Sequence, residues 1–288
     1  MINIIHLLVC PNCKGKLSEI DDSLFCKSCN IKYNIINDIP VFLPFESQGN
    51  KFSMNYLEHY QKDAEVFDYF EERDCSATKH DERRLREYIL SLIPKDVINV
   101  LDVGSGGAWV AGKLCKEKVN VCSFDISVKN AKSALQNVKS DFHTAVAGDA
   151  LNPPFADNSF DAIIASEVIE HIVEPGDFVN KLLPLLKPEG KLIISTPYKE
   201  KIHISICIHC NQPTPQNAHL HSFDEKKLEL FSFNKSNYSY YIFGNKALLM
   251  LRTNYILKFL PFFIWKAIDK ISNIILNKPN HIISVYSK

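Results

Sequence analysis

From position 97 onward the chain alternates short, continuously apolar runs with stretches whose apolar residues recur every three or four positions. The runs at 97–103, 119–125, 142–147, 160–166 and 191–196 predict five buried strands, and the segments 109–117, 128–138, 168–172 and 178–186 predict helices between them. Such alternation builds parallel βαβ units and hence a doubly wound α/β sheet. Before it, 52–93 carries mixed charge with Leu85, Ile89 and Leu92 at helical spacing. After Pro197 a long polar loop leads to a helix near 224–231, a strand near 238–243, a largely apolar helical region at 246–276 and a last strand at 281–286. The expected organisation is a cysteine-rich unit at 1–45, a helical linker and lid at 46–96, and an α/β domain at 97–288 with insertions at 197–223 and 246–276.

Composition narrows this picture. The 288 residues hold 33 basic and 33 acidic side chains, which argues against a protein that grips nucleic acid by bulk charge. Only 10 residues are glycine, yet Gly104, Gly106 and Gly107 fall together; of 9 cysteines, six sit in Cys-x-x-Cys pairs. No run reaches the ~18 apolar residues of a membrane span, and positions 1–9 lack the features of a secretory leader. The expectation is a cytoplasmic chain whose cysteines are reduced thiols or metal ligands rather than disulfides.

Cys10-Pro-Asn-Cys13 and Cys26-Lys-Ser-Cys29 are twelve residues apart. Two such knuckles joined by a hairpin supply four thiolates to a tetrahedron, the donor set of a closed structural zinc site. Forty residues are too few for a core of their own, so metal would provide the folding free energy. The stretch from Cys10 to Pro44 resembles the small zinc ribbon found beside methyltransferases, which occurs as separate activator proteins of tRNA methyltransferases and as N-terminal extensions of ribosomal RNA guanine-N1 methyltransferases.

Asn99-Val-Leu-Asp-Val-Gly-Ser-Gly-Gly-Ala108 reads as a buried strand breaking into a glycine turn before a helix. The dinucleotide fingerprint would need a third glycine where Trp109 stands, and an indole there cannot give close helix–strand packing. The spacing Asp102-x-Gly104-x-Gly106 instead resembles the first motif of class I S-adenosylmethionine-dependent methyltransferases, with Ala108 where a third glycine is common. Asp125 closes the second strand, Gly148-Asp149-Ala150 follows the third, and the blocks at 157–164, 166–171 and 186–194 continue the likeness in order. The resemblance implies a Rossmann-like, seven-stranded sheet. It also implies a cofactor held by Asp102, Gly104, Ser105 and Gly106 at its amino acid end, Asp125 and Ile126 at the ribose, Asp149 and Ala150 at the adenine, and Ser166 nearby.

The acceptor side is less explicit. Glu167, Glu170 and His171 fall at i, i+3 and i+4, so one helical turn would present all three, with His219 and His221 within reach of the same cleft. Glu167, His171 and His221 are the candidate catalytic groups. The Glu-x-x-Glu-His pattern resembles the metal-binding motif of some O-methyltransferases acting on quinone precursors, so Mg2+ or a second Zn2+ is one reading and simple hydrogen-bonded bracing is the other. Cys207, Cys210, His219 and His221 could alternatively clip the long loop around a second zinc. Leu257, Leu260, Ile264, Ile268, Ile271 and Ile275 predict one helical stripe that caps the sheet, or else a surface at 254–276 touching membrane. These features favour methyl transfer to the oxygen, nitrogen or carbon of a small or lipid-like acceptor. The alternatives are an RNA base acceptor, suggested by the ribbon, and a non-catalytic partner that keeps the fold.

Overall fold

The computed structural model describes residues 4–43, 56–71, 73–206, 211, 213–232 and 237–288. The N-terminal region contributes β1 (Leu17–Glu19), β2 (Ser23–Cys26), β3 (Ile31–Ile36) and β4 (Ile39–Phe42). Two helices follow, α1 (Tyr56–Val66) and α2 (Ser76–Leu92). The alternating section comprises β5 (Asn99–Val103), α3 (Trp109–Leu114), β6 (Asn120–Asp125), α4 (Val128–Asn137), β7 (His143–Gly148), β8 (Phe160–Ser166), α5 (Pro175–Leu182) and β9 (Leu186–Pro197). Beyond it lie β10 (Ile204–Ile206), β11 (Pro213–Pro215), α6 (Glu225–Glu229), β12 (Asn237–Asn245), α7 (Lys246–Met250), α8 (Asn254–Leu257), α9 (Phe262–Leu276) and β13 (Pro279–Ser287). Each apolar run expected as a strand is one.

The strands order as β1-β2-β3-β4-β7-β6-β5-β8-β9-β13-β12, with β10 and β11 pairing separately. From β7 to β9 the pairing is parallel, and β13 and β12 close that edge antiparallel. These seven strands are the sheet expected from the resemblance. Among the described residues the full sheet has eleven, because β4 pairs in parallel with β7 through Val41–Ala147 and Phe42–Gly148. The cysteine-rich unit therefore continues the sheet instead of hanging from a tether. Val9 N donates to Pro154 O, Lys14 Nζ donates to Pro153 O, and Leu24, Tyr33 and Phe42 share one core with Phe124 and Phe155. A strand added to an exposed edge removes a row of unpaired backbone groups, which gives the added unit a reason to dock there.

Two expectations fail locally. Glu167 does not begin a helical turn: its φ is 56°, and only Ile169–His171 forms a 3-10 turn, so Glu167, Glu170 and His171 do not share one helical face. The apolar stripe at 257–275 is also not the buried one. Pro261 breaks the helix and resets its phase, so Trp265 and Asp269 face inward while Ile271 and Ile275 are exposed. Asp269 fixes that phase by accepting the backbone N–H groups of Gly244 and Asn245 at 3.1 and 3.0 Å.

Candidate active site and metal centre

A cleft of about 1320 Å3 opens at the C-terminal ends of β5, β6 and β8, where a doubly wound sheet reverses its winding. Its floor is the turn after β5. Gly104 and Gly106 have φ of 67° and 43°, a region that ordinary side chains avoid. A Cβ on Gly104 would lie 2.5 Å from Val168 Cγ2, and one on Gly107 would lie 2.6 Å from the carbonyl oxygen of Tyr69. The glycines therefore serve close packing between this turn, the Val168 segment and the chain after α1. Ala108, where a third glycine was anticipated, is buried and takes a left-handed conformation as well.

Asp125 joins the turn to the next strand. Its Oδ2 accepts Gly106 N at 3.1 Å, and its Oδ1 accepts Ser127 N at 2.9 Å and Asn130 Nδ2 at 3.3 Å. Burial raises its pKa, while the donors from Ser127, Gly106 and Asn130 pull it down. Gly104, Ser105, Gly106, Asp125, Ile126, Ala150 and Ser166, all anticipated cofactor residues, stand in the cleft wall. Asp102 and Asp149 stand behind it. Among the described residues Asp102 Oδ2 and Ser105 Oγ are buried without a hydrogen-bond partner, an arrangement that is costly unless a ligand supplies one. Burial, and then the charge of Asp125, push Asp102 well above the usual carboxylate range. Asp149 Oδ1 accepts Leu151 N at 2.9 Å, and burial raises its pKa too.

At the other end of the cleft stand Glu167, His171 and His219. The left-handed bend at Glu167 turns its carboxylate toward Ser195, whose Oγ donates to Oε1 at 3.1 Å, and toward His281, whose Nδ1 lies 3.8 Å away. His281 Nε2 in turn donates to Asp81 Oδ2 at 2.8 Å. Burial disfavours the charged imidazole, but Asp81 and Glu167 outweigh it and raise His281 to about 10. Neither Asp81 nor His281 was singled out in the sequence: they are two hundred positions apart, and only the packing of α2 on β13 brings them together. Because the folded value lies above the ordinary 6.5, the stability from His281 is complete below about pH 6.5 and is lost as pH rises toward about 10. His281→Gln should thus cost on the order of 3 kcal/mol at low pH. Urea denaturation of both forms should show that gap closing between pH 6 and 10.

His171 is pressed between Tyr60 and His219, with ring centroids at 5.9 and 4.8 Å, and its Nδ1 lies 3.3 Å from Ala218 O. Burial, reinforced by His219, lowers it to about 4, so it is a neutral imidazole at pH 7. Glu170 is fully buried; Oε2 accepts Thr196 Oγ1 at 3.0 Å and Oε1 has no partner among the described residues. Ligand atoms of Glu170, His171 and His219 lie within 4.8 Å of one another. His219 also pairs with Glu200 through Nδ1.

His221 stands apart from the cleft where it was expected. Leu220 N and His221 N both donate to Glu170 O, and this bend sends the His221 ring away from the cleft, to Val173 O at 3.3 Å. His221 is not among the residues that line the cleft, nor in the group of Glu170, His171 and His219 whose ligand atoms converge. Cys207 and Cys210 lie outside the described residues.

The N-terminal cysteines do converge. The sulfurs of Cys10, Cys13, Cys26 and Cys29 lie within 4.8 Å of one another, with Cys10–Cys29 at 3.9 Å and Cys13–Cys26 at 3.5 Å. A tetrahedron with Zn–S bonds of about 2.3 Å has edges of about 3.8 Å, so the cluster fits a zinc ribbon. The Tyr33 hydroxyl lies 3.3 Å from Cys10 Sγ and ties the cluster to the core beneath.

Sheet order, glycine turn and strand-end carboxylate together define the class I methyltransferase fold. Comparison with known proteins agrees. Residues 101–194 match the family model described as a methyltransferase domain, and residues 4–38 match the model described as Trm112p-like protein. The chain is 32% identical over 113 residues to the ubiquinone biosynthesis O-methyltransferase of Xylella fastidiosa, covering 38% of this chain and 46% of that protein. The Rickettsia typhi protein of the same name is 29% identical over 155 residues, covering 50% of this chain and 63% of that protein. The chain thus spans about half the length of such curated relatives. A SAM-dependent methyltransferase from Archaeoglobus fulgidus shares the fold, with a TM-score of 0.53 at 14% identity over 73% of this chain and 94% of that one.

Proposed function

We propose that the protein binds S-adenosylmethionine in this cleft and methylates an oxygen of a small or lipid-like acceptor. The observation that carries the reading is the cleft itself, which runs unbroken from the Gly104–Gly107 turn to Glu167 and His171. The similarity to ubiquinone biosynthesis O-methyltransferases supports it. When bound, the cofactor supplies an electrophilic methyl group. Asp102 and Ser105, with their unpartnered oxygens, would receive its amino acid end, Asp125 its ribose hydroxyls, and Ala150 its adenine. Tyr69, packed against Gly106 and Gly107, covers the turn and excludes water.

At the acceptor end Glu167 is the group placed to take the hydroxyl proton, since it lines the cleft and is held by Ser195 and His281. Asp81 and His281 are positioning residues: Asp81 holds the His281 imidazole, which stands beside the Glu167 carboxylate. The neutral His171 is placed to accept a hydrogen bond from a second acceptor hydroxyl. A second reading rests on the convergence of Glu170, His171 and His219, a carboxylate and two imidazoles that suit a divalent ion orienting that acceptor. Metal analysis separates the two: with the ribbon holding one zinc, a second ion that leaves His219→Ala but not Cys13→Ser would establish the cleft site.

Incubation with methyl-labelled cofactor and fractionated cell extract tests the function. Label in organic-soluble small molecules is the expected result. Label confined to RNA would favour the base-methylating alternative, and no label with intact cofactor binding would favour the non-catalytic one.

A further inference from the structure

The C-terminal helices pack Leu257, Leu260, Phe262 and Trp265 inward and carry a second set of apolar residues on the outside. Along α9, Phe263, Ala267, Ile271, Ile274 and Ile275 follow one another at spacings of one, three and four, and all are exposed, Phe263 at 72% and Ile274 at 73%. Just before it, Phe259 is 78% exposed and Ile256 73%, and Met250 and Leu251 extend the surface from α7. A helix in a water-facing cap shows the opposite arrangement. This surface is also selectively charged. Residues 246–278 contain Lys246, Arg252, Lys258, Lys266, Lys270 and Lys278 against a single acidic residue, Asp269, in a chain whose charges balance overall, and of these only Lys266 turns inward, over the Tyr88 ring. Asp269 is buried and spent on backbone N–H groups, so it does not offset the basic rim. Lys258 lies over the rings of Tyr255 and Phe259, at 5.8 and 5.0 Å from their centroids.

The surface is held firmly and close to the cleft. Arg84, fully buried, donates to the carbonyl oxygens of Leu257 and Leu260 at 2.7 and 2.8 Å and stacks over Trp265. Arg83, which lines the cleft, donates to Lys258 O at 2.7 Å. One helix, α2, therefore forms a wall of the cleft on one side and anchors the apolar surface on the other. Among the described residues no helix is long and apolar enough to cross a membrane.

We propose that residues 250–276 are a membrane-docking surface specific for anionic lipid, with the exposed aromatic and aliphatic side chains entering the interface and the lysines meeting headgroups. The inference rests on the methyl-transfer reading for its purpose, since docking would set the cleft mouth beside an acceptor dissolved in lipid. The occupant follows from charge: an apolar stripe alone would serve a second copy of the chain, but two like-charged basic rims repel, whereas an anionic bilayer satisfies both features.

Cosedimentation of the full chain, with no cofactor added, should use vesicles of equimolar phosphatidylglycerol and phosphatidylcholine beside vesicles of phosphatidylcholine alone. Binding to the anionic vesicles should exceed binding to the neutral ones by about tenfold and fall as salt is raised. Phe259→Asp with Phe263→Asp should remove it, and both positions are exposed, so the fold is kept. Lys258→Glu with Lys270→Glu should weaken it without touching the apolar stripe. Equal binding to both vesicle types, or binding that survives both variants, would overturn the proposal. So would a stable dimer of the wild type that the Phe259→Asp, Phe263→Asp variant dissociates. Because no cofactor enters this experiment, its failure leaves the methyl-transfer reading standing, and failure of label transfer leaves this result interpretable.

Discussion

Asp125→Ala should weaken binding of S-adenosylhomocysteine by about two orders of magnitude, or about 3 kcal/mol. The carboxylate is the junction of the cofactor end of the cleft, holding Gly106 N, Ser127 N and Asn130 Nδ2 at once. Removing it unfastens the glycine turn from β6 and withdraws the acceptor proposed for two ribose hydroxyls. Asp125→Asn keeps one acceptor oxygen and should fall between the two. Trp109 lies in the cleft wall beside Gly107, so tryptophan fluorescence during titration reports the affinity directly. Unchanged affinity in a folded Asp125→Ala protein would mean that the ligand lies elsewhere.

Removing the metal from the ribbon should have the largest structural effect. A structural zinc contributes roughly 10 kcal/mol of apparent folding free energy in a unit too small to hold itself. Here the loss would not stop at the ribbon, because β4 is paired to β7 and Phe42 packs in the core shared with Phe124. Phe124 faces Gly148, and both line the cleft. Cys26→Ser, or chelation under denaturing conditions followed by refolding, should therefore expose Ile39–Phe42 and then the His143–Gly148 strand to hydrogen exchange. Deprotection confined to positions before Ile39 would show that the ribbon is energetically separate.

The central sheet was legible because its strands are buried on both faces, which leaves unbroken apolar runs such as Ile163-Ile164 and Ile193-Ile194. The glycine turn was legible because close packing admits no side chain at Gly104 or Gly107. What escaped the sequence depends on contacts between distant segments. Nothing in Asn37-Asp-Ile-Pro-Val-Phe42 marks it as an edge strand of another domain until β7 is beside it. Asp81 and His281 are ordinary in their own helix and strand, and become a partly buried pair only through docking. Periodicity misled at α9, since the apolar stripe that usually marks the buried face here faces outward, while Asp269 and Trp265 hold the inner one. The Glu167 bend was invisible for a simpler reason. A left-handed residue without glycine leaves no mark in the sequence, and it converted an expected helical face into two separate groups, Glu167 with His281 and Glu170 with His171.

Isothermal titration of the zinc-loaded wild-type chain with S-adenosylhomocysteine tests the central claim most directly. The account predicts one saturable site per chain, abolished by Gly107→Val, whose added side chain would collide with the Tyr69 carbonyl. No binding by the folded protein at millimolar ligand, or binding indifferent to Gly107→Val, would contradict it.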